Sequence, residues 1–264
     1  MPRILELVPV PVPDEALTGF RTMVPERVRF PGFDLTFVAT RAGAANAIDS
    51  PYEQTLCDAF VLEAGCRAEE EGYDAVCVNS MSDSGLGALR SRLTIPVVGA
   101  GQAALLAACL LGSRVSVISM WPNWRSLYTK VAAEQGLGDR LASIRDIGVR
   151  PDAERLLSGK EDFVFEPLER ACRLAVDVDG ADVLVLGSTT MHQSHAYLSE
   201  RLEVPILNPG TVAYKVAESL VLLGLTHSKR AHPAPQTTQD GIFGFTPAVF
   251  GPGSSAGTTA GMVR

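Results

Sequence analysis

Two stretches of this chain repeat one another, and that repeat restricts the fold more than any other feature of the sequence. "GYDAVCVNSMS" followed by "SRLTIPVVGAGQAALLAACLLG" lines up with "GADVLVLGSTT" followed by "ERLEVPILNPGTVAYKVAESLVLLG". Gly72 and Gly180 stand 108 positions apart, as do Ser80 and Ser188; Pro96 and Pro205 stand 109 apart, Gly112 and Gly224 112. Each copy reads as an unbroken apolar strand, a hydroxyl-bearing turn, a helix, a short second strand and an apolar helix. Continuous apolar strands alternating with helices are the mark of parallel sheets covered on both faces. The repeat therefore predicts two related α/β halves, each with a hydroxyl turn at the C-terminal end of a buried strand, where open α/β sheets bind ligands. Packed about a pseudo-twofold axis, the halves would set Ser80 and Ser188 facing one another across a cleft. Taken singly, each serine also reads as a helix cap.

The rest of the chain continues the alternation. "RILELVPV", "DLTFVAT", "DAVCVNS", "PVVGA", "RVSVISM", "ADVLVLGS" and "VPILNPG" read as strands. "EQTLCDAFVLEAGCRAEEEG", "GQAALLAACLLG", "NWRSLYTKVAAEQG", "EPLERACRLAVDVDG" and "TVAYKVAESLVLLG" read as helices. This divides the chain into a first lobe of residues 1–113 with 209–230, a second of 114–208, and a Pro/Gly-rich C-terminal tail of 231–264. The tail has no helical or strand period, and its last dozen residues are expected to be disordered. "GIFGFTPAVF" is too aromatic for a solvated linker and is expected to pack on a neighbouring subunit or over the cleft.

With 264 residues, 46% of them hydrophobic, the chain can bury one large core or two smaller ones. Its 23 basic against 30 acidic residues leave no broad basic surface. Nucleic acid and anionic membranes are thereby excluded as main partners, and a small-molecule substrate becomes the expectation. Cys57, Cys66, Cys77, Cys109 and Cys172 form no CxxC or Cys/His cluster, so neither a disulfide framework nor a metal site is expected. The N-terminal apolar run is interrupted by Pro9, Pro11 and Pro13, unlike a signal peptide, and a cytoplasmic location is expected. "GAGQAA" lacks the third glycine and the acidic partner of a dinucleotide fingerprint, so no cofactor is expected.

The two turns and their surroundings resemble the aspartate/glutamate/hydantoin racemase superfamily. "DAVCVNSMSDSGLGALRS" is similar to that family's first catalytic strand-turn and "GADVLVLGSTTMHQSHAYLSERLEVPILNPG" to its second. "IDSPYEQ", "LLGSRVSVIS" and "LVLLGLTHSKR" resemble the hydantoin racemase branch in particular. The resemblance runs from about Arg3 to Arg230 and implies two four-stranded parallel lobes, an active site between them, no cofactor and a homo-oligomer. It also implies one cysteine in each turn, the two thiols serving as acid and base on opposite faces of the substrate's α-carbon. Here those positions hold Ser80 and Ser188.

A serine hydroxyl is a far weaker acid than a thiol and needs a base beside it. Three enzymatic readings follow. In the first, donors at the two turns hold an enolate or carboxylate of a small carboxylate, cyclic ureide or imide while another group moves the proton. In the second, Ser188 or Ser80 is a nucleophile activated by His192 or His195, giving a hydrolase or ring-opening enzyme; there is no GxSxG elbow. In the third, a serine and a histidine racemise as unequal partners. A decarboxylase on the same scaffold and a non-catalytic small-carboxylate binding protein are the alternatives. The catalytic candidates are Ser80, Ser188 and His192. Substrate contacts are expected from Asn79, Met81, Ser82, Asp83, Thr189, Thr190 and Asn208. Pro9 stands where the family often has polar contacts, and Trp121 at a position resembling a substrate-contacting tyrosine of the arylmalonate decarboxylase branch. Asp83 also reads as a helix-start acid.

Overall fold

Strands buried on both faces must be apolar throughout, and "AVCV" (β3, Ala75–Val78) and "VLVL" (β7, Val183–Leu186) are buried at every residue. In the computed structural model, which describes residues 1–44, 47–151 and 161–245, they lie inside two four-stranded sheets. The first holds β1 (Arg3–Val8), β2 (Asp34–Ala39), β3 and β4 (Val97–Gly99); the second holds β5 (Val115–Ser119), β6 (Leu141–Asp146), β7 and β8 (Ile206–Leu207). Every pairing is parallel, and the strand orders β2-β1-β3-β4 and β6-β5-β7-β8 are the same order twice. The repeat in sequence is thus a repeat in topology.

Helices α1 (Asp14–Thr22), α2 (Pro51–Gly65), α3 (Leu86–Arg92) and α4 (Ala100–Leu111) accompany the first sheet. Helices α5 (Arg125–Glu134), α6 (Asp162–Asp177), α7 (His192–Ser199) and α8 (Pro209–Leu222) follow β5 to β8. The sequence reading did not contain α1 or β6. Helix α1 is only nine residues long and follows Pro13 without a side-chain cap, and β6 "LASIRD" is an edge strand half-buried along its length, so it shows no alternation.

Helix α8 returns to the first lobe: Ala213, Tyr214 and Ala217 share a core with Ile4, Val8, Cys77 and Val98. Helix α4 does the converse, with Ala104, Leu105 and Ala108 packed among Val115, Val117 and Val183 of the second sheet. This exchange of helices ties the lobes together. All five cysteines are free, and among the described residues no helix is long and apolar enough to cross a membrane.

The described part of the tail does not lie over the cleft. Just before it, Thr226 and His227 bond the carbonyls of Thr94 and Leu93 and Lys229 donates to the carbonyls of Arg90 and Ser91; within it, Asp240 pairs with Arg92 at 2.8 Å. These anchors sit at the C-terminal end of α3, the end remote from the strand-end turns, where orphan helix carbonyls attract cations. Ile242 and Phe243 line a shallow cavity with Leu62 and Ala88. The remainder of "GIFGFTPAVF" and the last dozen residues lie outside the described residues.

Candidate active site

In a sheet of order 2-1-3-4 the chain leaves β1 and β3 toward opposite faces, which opens a crevice at their C-terminal ends. Both sheets have such a crevice, and the two meet in one cavity of about 750 Å³, mouth included. The first lobe contributes Val8, Pro9 and Val10 after β1 and Asn79 to Ser82 after β3; the second contributes Gly187 to Thr190 after β7. Ser80 and Ser188, both half-buried, therefore line the same cavity. A hydrogen bond joins the turns directly, from Thr189 Oγ1 to the Asn79 carbonyl at 3.4 Å.

Each turn is an internally bonded hydroxyl pair. Ser80 Oγ lies 2.9 Å from Ser82 Oγ and accepts the Ser82 N–H at 3.2 Å. Ser188 Oγ lies 2.8 Å from Thr190 Oγ1 and accepts the Thr190 N–H at 3.3 Å. The matching i, i+2 geometry in two lobes satisfies polar groups that burial would otherwise leave costly.

The rest of the wall is apolar: Val10, Val12, Phe20, Ile48, Trp124 and Leu127 among others. Among the described residues it holds no carboxylate, ammonium, guanidinium, imidazole or thiol. Its one phenol, Tyr128, is fully buried, donates to the Gly187 carbonyl at 2.8 Å and lies 3.0 Å from Ser119 Oγ; burial pushes its acidity well down. Gly187 is required here, because a Cβ would stand 2.6 Å from the Tyr128 hydroxyl oxygen.

Five sequence candidates stand outside this wall. His192 begins α7 with Nδ1 3.2 Å from Glu161, a fully buried carboxylate that also accepts the N–H groups of Gln193 and Ser194. That carboxylate raises the imidazole's pKa and holds Nδ1 toward Glu161, outside the cavity wall. His195 is likewise occupied, its Nε2 3.1 Å from the Ile206 carbonyl.

Trp121 packs against the second lobe's core, 6.3 Å from Trp124 between ring centroids. A short 3-10 turn, Pro122–Trp124, carries the wall position three residues further on, to Trp124. Asn208 caps α8, its Oδ1 accepting from Gly210 at 3.0 Å and Thr211 at 3.3 Å. Asp83, at φ 50°, caps α4 across the turn by accepting the N–H groups of Gly101 at 2.8 Å and Gln102 at 2.7 Å. Burial raises its pKa to about 7 against those two bonds. Pro9, Asn79, Met81, Ser82, Thr189 and Thr190 all line the cavity.

Of the buried acids that the sequence reading does not single out, one borders the first turn. Glu6 lies in the middle of β1, fully buried against Cys77 on β3, and accepts from Asn79 Nδ2 at 2.8 Å. Desolvation raises its pKa to about 7, opposed by the bonds from Asn79 and Cys77. Its signal was present: a lone acid inside "RILELV", an otherwise apolar parallel strand. Cys77 is itself a core residue whose thiol burial pushes well up.

The chain belongs to the Asp/Glu/hydantoin racemase family. The family's profile, described as Asp/Glu/Hydantoin racemase, matches residues 22–217. A hydantoin racemase of Paenarthrobacter aurescens is 32% identical over 226 residues, covering 84% of this chain and 93% of that protein. Allantoin racemase from Klebsiella pneumoniae superposes with a TM-score of 0.81 at 27% identity, covering 90% of this chain and 95% of the other. Arylmalonate decarboxylase shares the fold, with a TM-score of 0.58 at 17% identity. The chain is thus an enzyme of racemase type by family, built with Ser80 and Ser188 in its two turns.

Proposed function

We propose that this enzyme racemises a 5-substituted cyclic ureide of the hydantoin type through an enolate-like intermediate held between the Ser80 and Ser188 turns. The observation that carries the reading is the single cavity in which two hydroxyl turns meet an uncharged, largely apolar described wall. Hydantoin and allantoin, the substrates named for the relatives, share a neutral five-membered ureide ring, and such a ring needs hydrogen bonds rather than a counter-ion. Carboxylate substrates fit less well, because the described wall supplies no cation to hold them.

The carbon bearing the substituent lies beside a ring carbonyl. When its C–H bond breaks, the electron pair moves onto that carbonyl oxygen, and hydroxyl and backbone donors at the turns stabilise the oxyanion; preorganised donors of this kind contribute about 10²–10³ in rate each. Asn79, held by Glu6, lies beside Ser80 to meet the ring's own polar groups. Val10, Val12, Phe20, Ile48 and Leu127 take the 5-substituent. With hydroxyls in place of thiols, the C–H proton passes to water or hydroxide admitted to the cavity, and return of a proton to the other face completes inversion. The rate then climbs with pH across the neutral range instead of showing the two limbs of a thiol/thiolate pair. The hydrolase reading would have Glu161 orient His192 through Nδ1, but His192 does not line the cavity into which Ser188 opens.

The test is optical rotation of single enantiomers of 5-benzylhydantoin, 5-isobutylhydantoin, allantoin, aspartate and phenylmalonate monoester, each incubated with the enzyme. Loss of rotation for the cyclic ureides alone supports the reading. Turnover of aspartate or the malonate alone overturns it, and tight hydantoin binding without turnover identifies a binding protein.

A further inference from the structure

The two turns are not equivalent, and the difference lies behind the first. Ser82 is 1% exposed and Ser84 fully buried, and their hydroxyl oxygens are 2.8 Å apart. Behind Ser84 stands Gln54 of α2, also buried, with Nε2 3.0 Å from Ser84 Oγ and 2.8 Å from Asp58 Oδ1. Asp58 Oδ1 also accepts the Gly85 N–H at 2.8 Å. A carboxylate oxygen only accepts, so the Gln54 group that faces Asp58 is the amino end of the amide; the reverse orientation would set oxygen against oxygen.

From that fixed donor the proton positions follow in order. Gln54 donates to Ser84 Oγ, so the single Ser84 proton goes to Ser82 Oγ, its other partner among the described residues. The Ser82 proton is then directed to Ser80 Oγ, which already accepts the Ser82 N–H. Ser80 Oγ is an acceptor twice over within the protein, and its own proton is left for the cavity it lines. The second turn ends at Thr190, with no amide behind it among the described residues, so its hydroxyl pair carries no imposed direction.

We propose that Gln54 is a positioning residue that fixes the direction of the Ser84–Ser82–Ser80 hydroxyl chain, so that Ser80 meets the bound substrate as a hydrogen-bond donor. The lobes then divide the labour: Ser80 is committed to the developing oxyanion, while Ser188 is free to accept or donate. The substrate class rests on the functional reading above, but the direction of the chain does not. Chains of hydroxyls polarise one another, so the Gln54 contribution reaches Ser80 although Gln54 does not line the cavity.

The test needs no substrate. Ser80→Cys puts a thiol at the end of the chain, in a background with Cys109→Ser; the other four cysteines are buried. Its titration is followed by thiolate absorbance and by the pH dependence of iodoacetamide alkylation. A thiolate accepting from Ser82 O–H and N–H is favoured, so the thiol titrates below the ordinary range with Gln54 present. Adding Gln54→Leu removes the fixed donor and raises the titration midpoint by roughly one unit, a slowing of alkylation near neutral pH of up to about tenfold. Gln54→Glu, which accepts from Ser84 and reverses the chain, raises it further. Thermal melting confirms that each variant is folded. Identical midpoints with and without the Gln54→Leu substitution overturn the proposal, and so does a shift confined to Gln54→Glu, which is the effect of charge alone. In the serine enzyme Gln54→Leu lowers kcat for 5-benzylhydantoin with little change in KM; no turnover by any version, with the thiol shift intact, would count against the substrate reading and leave the chain's direction established.

Discussion

Replacing Glu6 by Gln isolates a buried carboxyl one strand away from the active-site turn. Burial raises its pKa from 4.5 to about 7, against the lowering effect of the Asn79 and Cys77 bonds. A raised acid binds its proton more tightly in the folded state than in the unfolded one. Its contribution to stability is therefore full below about pH 4.5 and is lost as pH rises through about 7. A difference of about 2.5 units corresponds to about 3 kcal/mol at 1.36 kcal/mol per unit. Glu6→Gln keeps an oxygen to accept from Asn79 and has nothing to ionise. The variant is thus expected to match the wild type near pH 4.5 and to exceed it by about 3 kcal/mol at pH 8, with about 2 kcal/mol of that difference developing between pH 5.5 and 8. Asp83 titrates in the same window in both proteins, so its effect cancels in the comparison. Urea unfolding followed by far-ultraviolet circular dichroism at pH 5.5, 7 and 8 gives the two curves. Parallel curves, or a variant less stable at pH 8 than at pH 5.5 relative to wild type, would refute the reasoning.

Three further outcomes follow from the cavity. Gly187→Ala drives a methyl group to 2.6 Å from the Tyr128 hydroxyl oxygen and 3.1 Å from the Ile118 carbonyl; a loss of about 1–3 kcal/mol by thermal denaturation is expected, with turnover falling alongside. Ile48→Asp places an uncompensated charge in the apolar wall and raises KM for 5-benzylhydantoin at least about tenfold, while allantoin, with its polar substituent, is less affected. The double substitution Ser80→Cys with Ser188→Cys places a thiol in each turn and is expected to accelerate loss of optical rotation by about tenfold or more at pH 8, since a thiol is the stronger acid and its thiolate forms near neutrality. It also converts the pH–rate profile to one with two limbs.

Much of this was legible in the sequence because the strands that build the cavity are also the strands that repeat. Parallel strands such as "AVCV" and "VLVL" must be apolar at every position, so their ends are sharp, and the hydroxyls that follow are visible against them. Ser80, Ser82, Ser188 and Thr190 were found for that reason. Most of the apolar wall was not: Val12, Phe20, Ile48 and Leu127 come from loops and helices whose approach to the cavity depends on how the lobes pack. Trp121 and Trp124 differ only by a 3-10 turn that no periodicity marks. His192 and Asp83 sit beside the turns in sequence, yet each is turned to a buried acid or a neighbouring helix start by partners distant along the chain, while Asn208 is taken up by capping the helix it begins. Gln54 could not be linked to Ser84 from spacing at all, since thirty residues and two elements separate them.

The central claim is that the facing serine turns stabilise an enolate, and its most direct measurement is solvent deuterium entering C5 of each enantiomer of 5-benzylhydantoin in D₂O, followed by proton NMR above the uncatalysed rate. Exchange from both enantiomers is expected of the wild type, with a loss of at least about 10²-fold in Ser80→Ala and in Ser188→Ala, the scale of one oxyanion donor removed. Exchange that persists undiminished in both alanine variants, or a wild type that binds the hydantoin without exchanging its C5 proton, would contradict it.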